Sequence, residues 1–226
     1  MTSTASILLV IPTILEAKPF LRLNHRQIDK YLYQFESPTL HCDLLIGGIG
    51  QLTTTFRLSH QLDKKPYRFI LMAGIAGSYS TTLPLGKVVN VMEERFGDLG
   101  IESGSDFSDL FDMKLDNPDV FPFSEGVLVN YTLINNDPIT RLPIVKGNTV
   151  QTIRTSIKPS IQREATVESM EGAAFFYVCM MKHQAFVELR AISNYVGETD
   201  KSQWETRKAI ENLYAAVIEV FAEIQF

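Results

Sequence analysis

Cysteine is nearly missing from this sequence: there are two in 226 residues, Cys42 and Cys179, far apart and each inside an apolar run. That leaves no disulfide framework and no paired metal-ligand spacing, and it predicts two reduced, buried thiols in a cytosolic protein with no bound metal. Long hydrophobic runs are missing too. Ile7 to Ile11 is too short to cross a bilayer and has no basic leader, so no membrane partner is expected and the cytoplasm is the default location. Basic clusters are absent: 21 Lys and Arg residues lie scattered among 26 Asp and Glu, for a net charge of −5. Nucleic acid is therefore not an expected partner. There is no internal repeat, coiled coil or low-complexity tract, and no cofactor-binding fingerprint is complete.

What is present is an ordinary globular balance, 45% hydrophobic and 21% charged, with length enough for one well-filled core, hence a single domain over 1–226. Short apolar runs bounded by Gly, Pro or Asn predict buried strands at 7–11, 43–46, 69–73, 88–92, 126–129, from 144, and at 186–192. Helical spacing predicts helices over 52–62, over about 170–182 with Ser169 as N-cap, and over about 203–224, where Ile210, Leu213, Tyr214, Val217 and Phe221 form one stripe. Apolar strands alternating with helices predict an α/β three-layer sandwich with a central mixed sheet. Its small-molecule site should lie at the carboxyl ends of the strands.

Two glycine-bearing segments follow such strands. Gly47-Gly48-Ile49-Gly50 precedes a helix, as a phosphate cradle would, but it lacks the full G-x-G-x-x-G spacing and a following Lys-Ser/Thr. A tight turn with no ligand is the competing reading. Gly74-Ile75-Ala76-Gly77-Ser78 is equally ambiguous alone; together the two segments describe a floor of bare backbone suited to a flat ring or a ribose. The stretch from Glu93 to Phe123 has no clear periodicity and reads either as a functional loop or as a surface excursion.

The most specific signal is Val167-Glu168-Ser169-Met170-Glu171-Gly172-Ala173-Ala174 followed by Arg190-Ala191-Ile192-Ser193-Asn194. In this order the two segments resemble the purine nucleoside phosphorylase and nucleosidase superfamily. The likeness extends over nearly the whole chain, and is strongest to the methylthioadenosine/adenosylhomocysteine nucleosidases and, among them, to the futalosine-cleaving branch. It implies a nucleosidase-like fold, a small-molecule nucleoside substrate, a homodimer or larger homo-oligomer, and N-ribosyl hydrolysis releasing hypoxanthine on the way to menaquinone. A methylthioadenosine/adenosylhomocysteine nucleosidase or other purine nucleosidase is the alternative enzyme, and a silent purine-binding module the alternative without catalysis.

The chemistry needs a site that stabilises a cationic sugar and an anionic base while placing water at the anomeric carbon. By correspondence with the family, Glu16 orients and deprotonates the water, Glu171 accepts from the ribose hydroxyls, Met170 packs on the ribose, and Arg190 stands beside them. A structural Glu171–Arg190 salt bridge is the competing reading of that pair. Ser193 would bond its neighbour or the purine, and Ile49, Ile75, Ala76, Gly77, Val150 and Gln151 are the further expected substrate contacts, with Asn148 a looser candidate. Asn194 stands where adenine-specific relatives carry Asp. Its amide offers a donor to O6 and an acceptor to an N7 proton, which suits a 6-oxopurine, but it cannot act as the acid. Phe107, Phe111, Phe121 and Phe123 could hold an apolar substrate arm, or merely anchor their loop. Phosphorolysis is disfavoured because an acid occupies the first loop and no arginine precedes Gly74.

Overall fold

Strand β1 (Ser6–Ile11) is apolar from Ile7 onward, and every one of those residues is buried. Such a run fits a strand covered on both faces and flanked by parallel neighbours. The computed structural model, which describes residues 6–36, 41–198 and 200–223, places it there. After it come α1 (Ile14–Ala17), β2 (Arg26–Gln27), β3 (Leu32–Glu36), β4 (His41–Ile46), α2 (Gln51–Lys64), β5 (Phe69–Ser78) and β6 (Val88–Glu94). The chain continues through β7 (Gly100–Ser103), β8 (Asp106–Asp109), β9 (Phe123–Ser124), β10 (Val127–Val129), α3 (Asp137–Thr140) and β11 (Ile144–Thr149). It ends with α4 (Pro159–Gln162), β12 (Val167–Ser169), α5 (Gly172–Met181), β13 (Phe186–Tyr195) and α6 (Thr206–Glu223).

One mixed sheet joins all the described strands except the β7–β8 hairpin, in the order β2-β3-β4-β1-β5-β12-β11-β6-β10-β9, with β13 bridging β5 and β6. The first half of β5 lies between β1 and β13; its last residues, Gly77 and Ser78, pair with β12 instead of β1. Because β12 pairs β11, β11 pairs β6 and β6 pairs β13, five strands close into a ring. Side-chain alternation along β13 sends Val187, Leu189 and Ala191 into an apolar cluster with Ala209, Leu213 and Val217 of α6. Ile192 joins the opposite cluster with Ala173, Phe175 and Phe176 of α5 and Leu58 of α2. Helices therefore cover both faces, as the three-layer reading expects.

Four local expectations are corrected. The second glycine segment is not a turn: β5 continues through Gly74–Ser78 because those residues pair with Arg190–Tyr195, across a register shift between Ile192 and Asn194. Ser169 is not an N-cap but the end of β12, held opposite Thr149; the helix begins at Gly172 after Glu171, and the Ser169 hydroxyl accepts the Gly172 N–H at 3.2 Å. The 93–123 stretch is not irregular throughout, since β7 and β8 pair antiparallel within it. The last helix starts at Thr206 rather than near Gln203, and the expected end at Ile224 falls outside the described residues. Among the described residues, no helix is long and apolar enough to cross a membrane.

Candidate active site

Three strand ends and two short corners converge on a cleft of about 180 Å³. Its acid comes from the first loop. Thr13 caps α1, its hydroxyl accepting the Glu16 N–H at 3.2 Å, as a Thr-x-x-Glu segment favours. The Glu16 carboxylate does not return to the Thr13 backbone. It accepts the Thr13 hydroxyl at 2.5 Å and the Ile75 backbone N–H at 2.9 Å. Glu16 is only 4% exposed, and burial pushes its carboxyl above the usual range. The Thr13 and Ile75 hydrogen bonds pull it back in part, while nearby Glu171 raises it further and Arg190 opposes that. A carboxylate so placed is a stronger base than one in water.

Arg190, with no exposure at all, organises the wall behind. Its Nε donates to Glu188 Oε1 at 2.6 Å and its Nη1 to Glu171 Oε2 at 3.2 Å and to the Ile75 carbonyl at 3.3 Å. The other Glu171 oxygen accepts the Gly50 N–H at 3.1 Å. Thus the helix N-terminus that a phosphate would need is engaged by a carboxylate of the protein itself. Room for the guanidinium exists only because β5 has glycine opposite it: a Cβ at Gly74 would lie 2.4 Å from Nη1. Deeper still sits Glu94, accepting the Thr149 hydroxyl at 2.8 Å. Burial drives the carboxyl of Glu94 well above its normal range, and Glu188 adds to this. Glu188 is raised by burial despite the counteracting Arg190. Burial would weaken the Arg190 charge, but Glu188 and Glu171 outweigh it and hold the guanidinium protonated. Burial therefore favours the protonated form of the inner pair, Glu94 and Glu188.

The base end of the cleft is built around Gly77, which lies opposite Asn194 on one side and Glu168 on the other. A Cβ at Gly77 would meet Asn194 Nδ2 at 3.2 Å. The Ser193 hydroxyl lies 2.8 Å from Asn194 Oδ1 and 3.2 Å from the Ala76 carbonyl, while Asn194 Nδ2 donates to the Tyr195 carbonyl at 3.2 Å. This leaves a second N–H and an oxygen lone pair for a ligand.

Most of the expected residues share this cleft. Glu16, Glu171 and Asn194 line it, with Ile49, Ile75, Ala76, Gly77, Val150, Met170 and Ser193. Arg190 stands behind Glu171 rather than on the wall. Gln151 is exposed, with its backbone N–H donating to Asp98 at 3.0 Å. Asn148 is fully buried and donates to Tyr79 Oη at 2.9 Å instead of facing the cleft. Of the loop phenylalanines, Phe111 and Phe123 line a separate cavity with Phe96, Tyr177 and the charged Arg95, Asp109 and Asp116. Sequence reasoning missed Thr13, Glu168, Ile153 and Trp204, which also line the cleft, as does Ser169, expected only as a helix cap. Thr13 was detectable as the cap three residues before Glu16, and Trp204 as the one tryptophan, set in a polar loop. No Lys or Arg is among the described residues lining the cleft.

The fold matches that of futalosine hydrolase from Helicobacter pylori, with a TM-score of 0.79, 14% identity and coverage of 99% of this chain and 100% of that one. It also matches the methylthioadenosine/S-adenosylhomocysteine nucleosidase of Neisseria meningitidis in complex with methylthio-immucillin-A (TM-score 0.77, 15% identity, 97% and 99% covered). No family model matches the sequence. Fold and relatives together define an N-glycosyl hydrolase of the nucleoside phosphorylase and nucleosidase superfamily. The futalosine hydrolase of Thermus thermophilus is 30% identical over 179 residues, 78% of this chain and 79% of that protein. That of Streptomyces coelicolor is 28% identical over 184 residues, 77% and 76% covered. The chain belongs to the futalosine hydrolase family.

Proposed function

We propose that this cleft hydrolyses the N-ribosidic bond of futalosine, releasing hypoxanthine, with Glu16 activating the water. The observation that carries the reading is the pairing of two carboxylates, Glu16 and Glu171, on walls without a cation. A phosphate dianion would be repelled there, whereas water beside Glu16 is turned into a nucleophile. As the C–N bond lengthens, positive charge grows on the ribose. Glu171 accepts from the sugar hydroxyls and favours that charge, its orientation fixed by Gly50 and Arg190. Arg190 acts through Glu171 and is a positioning residue. Met170, Ile49 and Val150 supply the apolar walls, and the edges of Ile75, Ala76 and Gly77 supply the floor.

At the base, the free N–H of Asn194 donates to O6 and its carbonyl accepts an N7 proton. Against adenine the same N–H would face an amine, a mismatch of the kind that costs about 10⁴- to 10⁵-fold. The exposed apolar side chains of Ile49, at the cleft, and of Leu52 and Phe56 on α2 support a homo-oligomer that buries them. A cytoplasmic location goes with the reduced thiols. Incubating the protein with futalosine, inosine and methylthioadenosine and identifying the products by mass tests the reading. Hypoxanthine from futalosine is expected; adenine from methylthioadenosine as the main product would overturn it.

A further inference from the structure

The amide at Asn194 leaves one step without an agent. Departing hypoxanthine needs a proton, and Asn194 has none to give. Glu168 is the carboxyl nearest to Asn194 by strand register: both flank Gly77, on β12 and β13 respectively, and both line the cleft. On β12, Val167 and Ser169 are buried and Glu168 between them is half-buried, its carboxyl lining the cleft.

Its hydrogen bonds fix which oxygen is free. Asn148 Nδ2 donates to Tyr79 Oη at 2.9 Å, so the tyrosine proton points onward, to Glu168 Oε2 at 2.5 Å. Oε2 is thereby an acceptor, and Oε1 is the oxygen that can carry the acid proton. The charged groups that face Glu168 are few. Arg154 favours its ionised form, and Asp98, which is itself bonded to Arg154 at 3.2 Å, opposes it. Glu16 and Glu171 lie on the same cleft. Burial outweighs the Tyr79 bond and raises the carboxyl above its ordinary value, the direction an acid working near neutrality requires.

We propose that Glu168, held by the Asn148–Tyr79 chain, is the acid that protonates the leaving purine. The inference rests on the futalosine reading given above. The C1′–N9 bond breaks with its electron pair passing to the purine, and the Glu168 Oε1 proton goes to N7, where the Asn194 carbonyl accepts the new N–H. The oxygen of water bonds to C1′ and its proton goes to Glu16. Glu16 returns a proton to solvent and Glu168 recovers one, so nucleoside plus water gives free base plus sugar hydroxyl.

The test compares wild type and Glu168→Gln on futalosine and on its N7-methylated analogue, whose base leaves without protonation. Loss of general acid catalysis should slow futalosine turnover by about 10²- to 10⁴-fold while the methylated substrate is slowed far less. The fall in kcat at high pH should disappear in the variant. Equal slowing of both substrates, or a persisting fall at high pH, would overturn the proposal, because a strand clamp or a binding contact predicts either. Tyr79→Phe gives an independent reading with Glu168 in place: losing a bond that favours the carboxylate, it should move the high-pH fall of kcat upward, and an unmoved profile counts against Glu168. Failure of the wild type to release hypoxanthine from futalosine would instead overturn the functional reading, whatever the variants do.

Discussion

Glu16, Asn194 and Arg190 do different work at the scale of single residues, and each can be separated from the others. If Glu16 is the base, Glu16→Gln should lower kcat by about 10²- to 10⁴-fold with KM little changed, because the amide can still bond Thr13 and Ile75. Comparable kcat in steady-state assays would remove it from the mechanism. Burial raises the Glu16 carboxyl, and the base must be ionised, so activity should decline on the acid side at a pH above the ordinary carboxyl range. Asn194→Asp should shift preference towards adenine-bearing nucleosides, read as the ratio of kcat/KM for adenosine- and inosine-type substrates; an unshifted ratio contradicts the role given to its amide. At Arg190 the structural reading from sequence, a salt bridge to Glu171, is present. The residue is a buried salt bridge, to Glu171 and Glu188, and the proposed mechanism uses that bridge to position Glu171 for the sugar. Removing it strands two carboxylates, which typically costs about 3–5 kcal/mol.

Strands β5 and β13 carry the site at the scale of elements, and their register explains what was legible. Continuous apolar runs reveal buried strands, so β1, β4, β5, β6 and β13 could be read from Ile, Leu and Val alone. Where β5 ends could not, because Gly74 to Gly77 look like a turn until Arg190 to Asn194 is laid alongside. For the same reason β12 was hidden: three residues, one of them Glu168, have no periodicity to detect. The ring closure that brings Glu168 to Asn194 depends on pairings between distant strands, which no local pattern encodes. Gly74→Ala tests the register directly. A methyl 2.4 Å from Arg190 Nη1 must displace the guanidinium or the strand, so stability should fall by about 1–3 kcal/mol and turnover should drop with it. Unchanged urea unfolding and activity would mean that Arg190 has another place to go. Trp204 offers a probe in the loop after β13: as the one tryptophan and a cleft residue, it should change fluorescence when hypoxanthine binds.

Across the whole molecule, the inner carboxyl cluster makes folding depend on pH with a definite sign. Glu94, Glu188 and Glu16 are all raised above the value of 4.5 that they have in an unfolded chain. The native state therefore holds more protons above that pH, and the stability these groups contribute is complete below about 4.5 and lost as pH rises through their folded values. Glu94→Gln, a neutral stand-in for the protonated acid, should gain stability relative to wild type as pH increases in urea titrations; a relative loss would mean that Glu94 is ionised in the fold. The most direct measurement of the central claim concerns the nucleophile. Base release from futalosine should proceed at the same rate in phosphate-free and phosphate buffer, giving hypoxanthine and the free sugar hydroxyl. Turnover that requires phosphate, with a ribosyl 1-phosphate as product, would contradict the account.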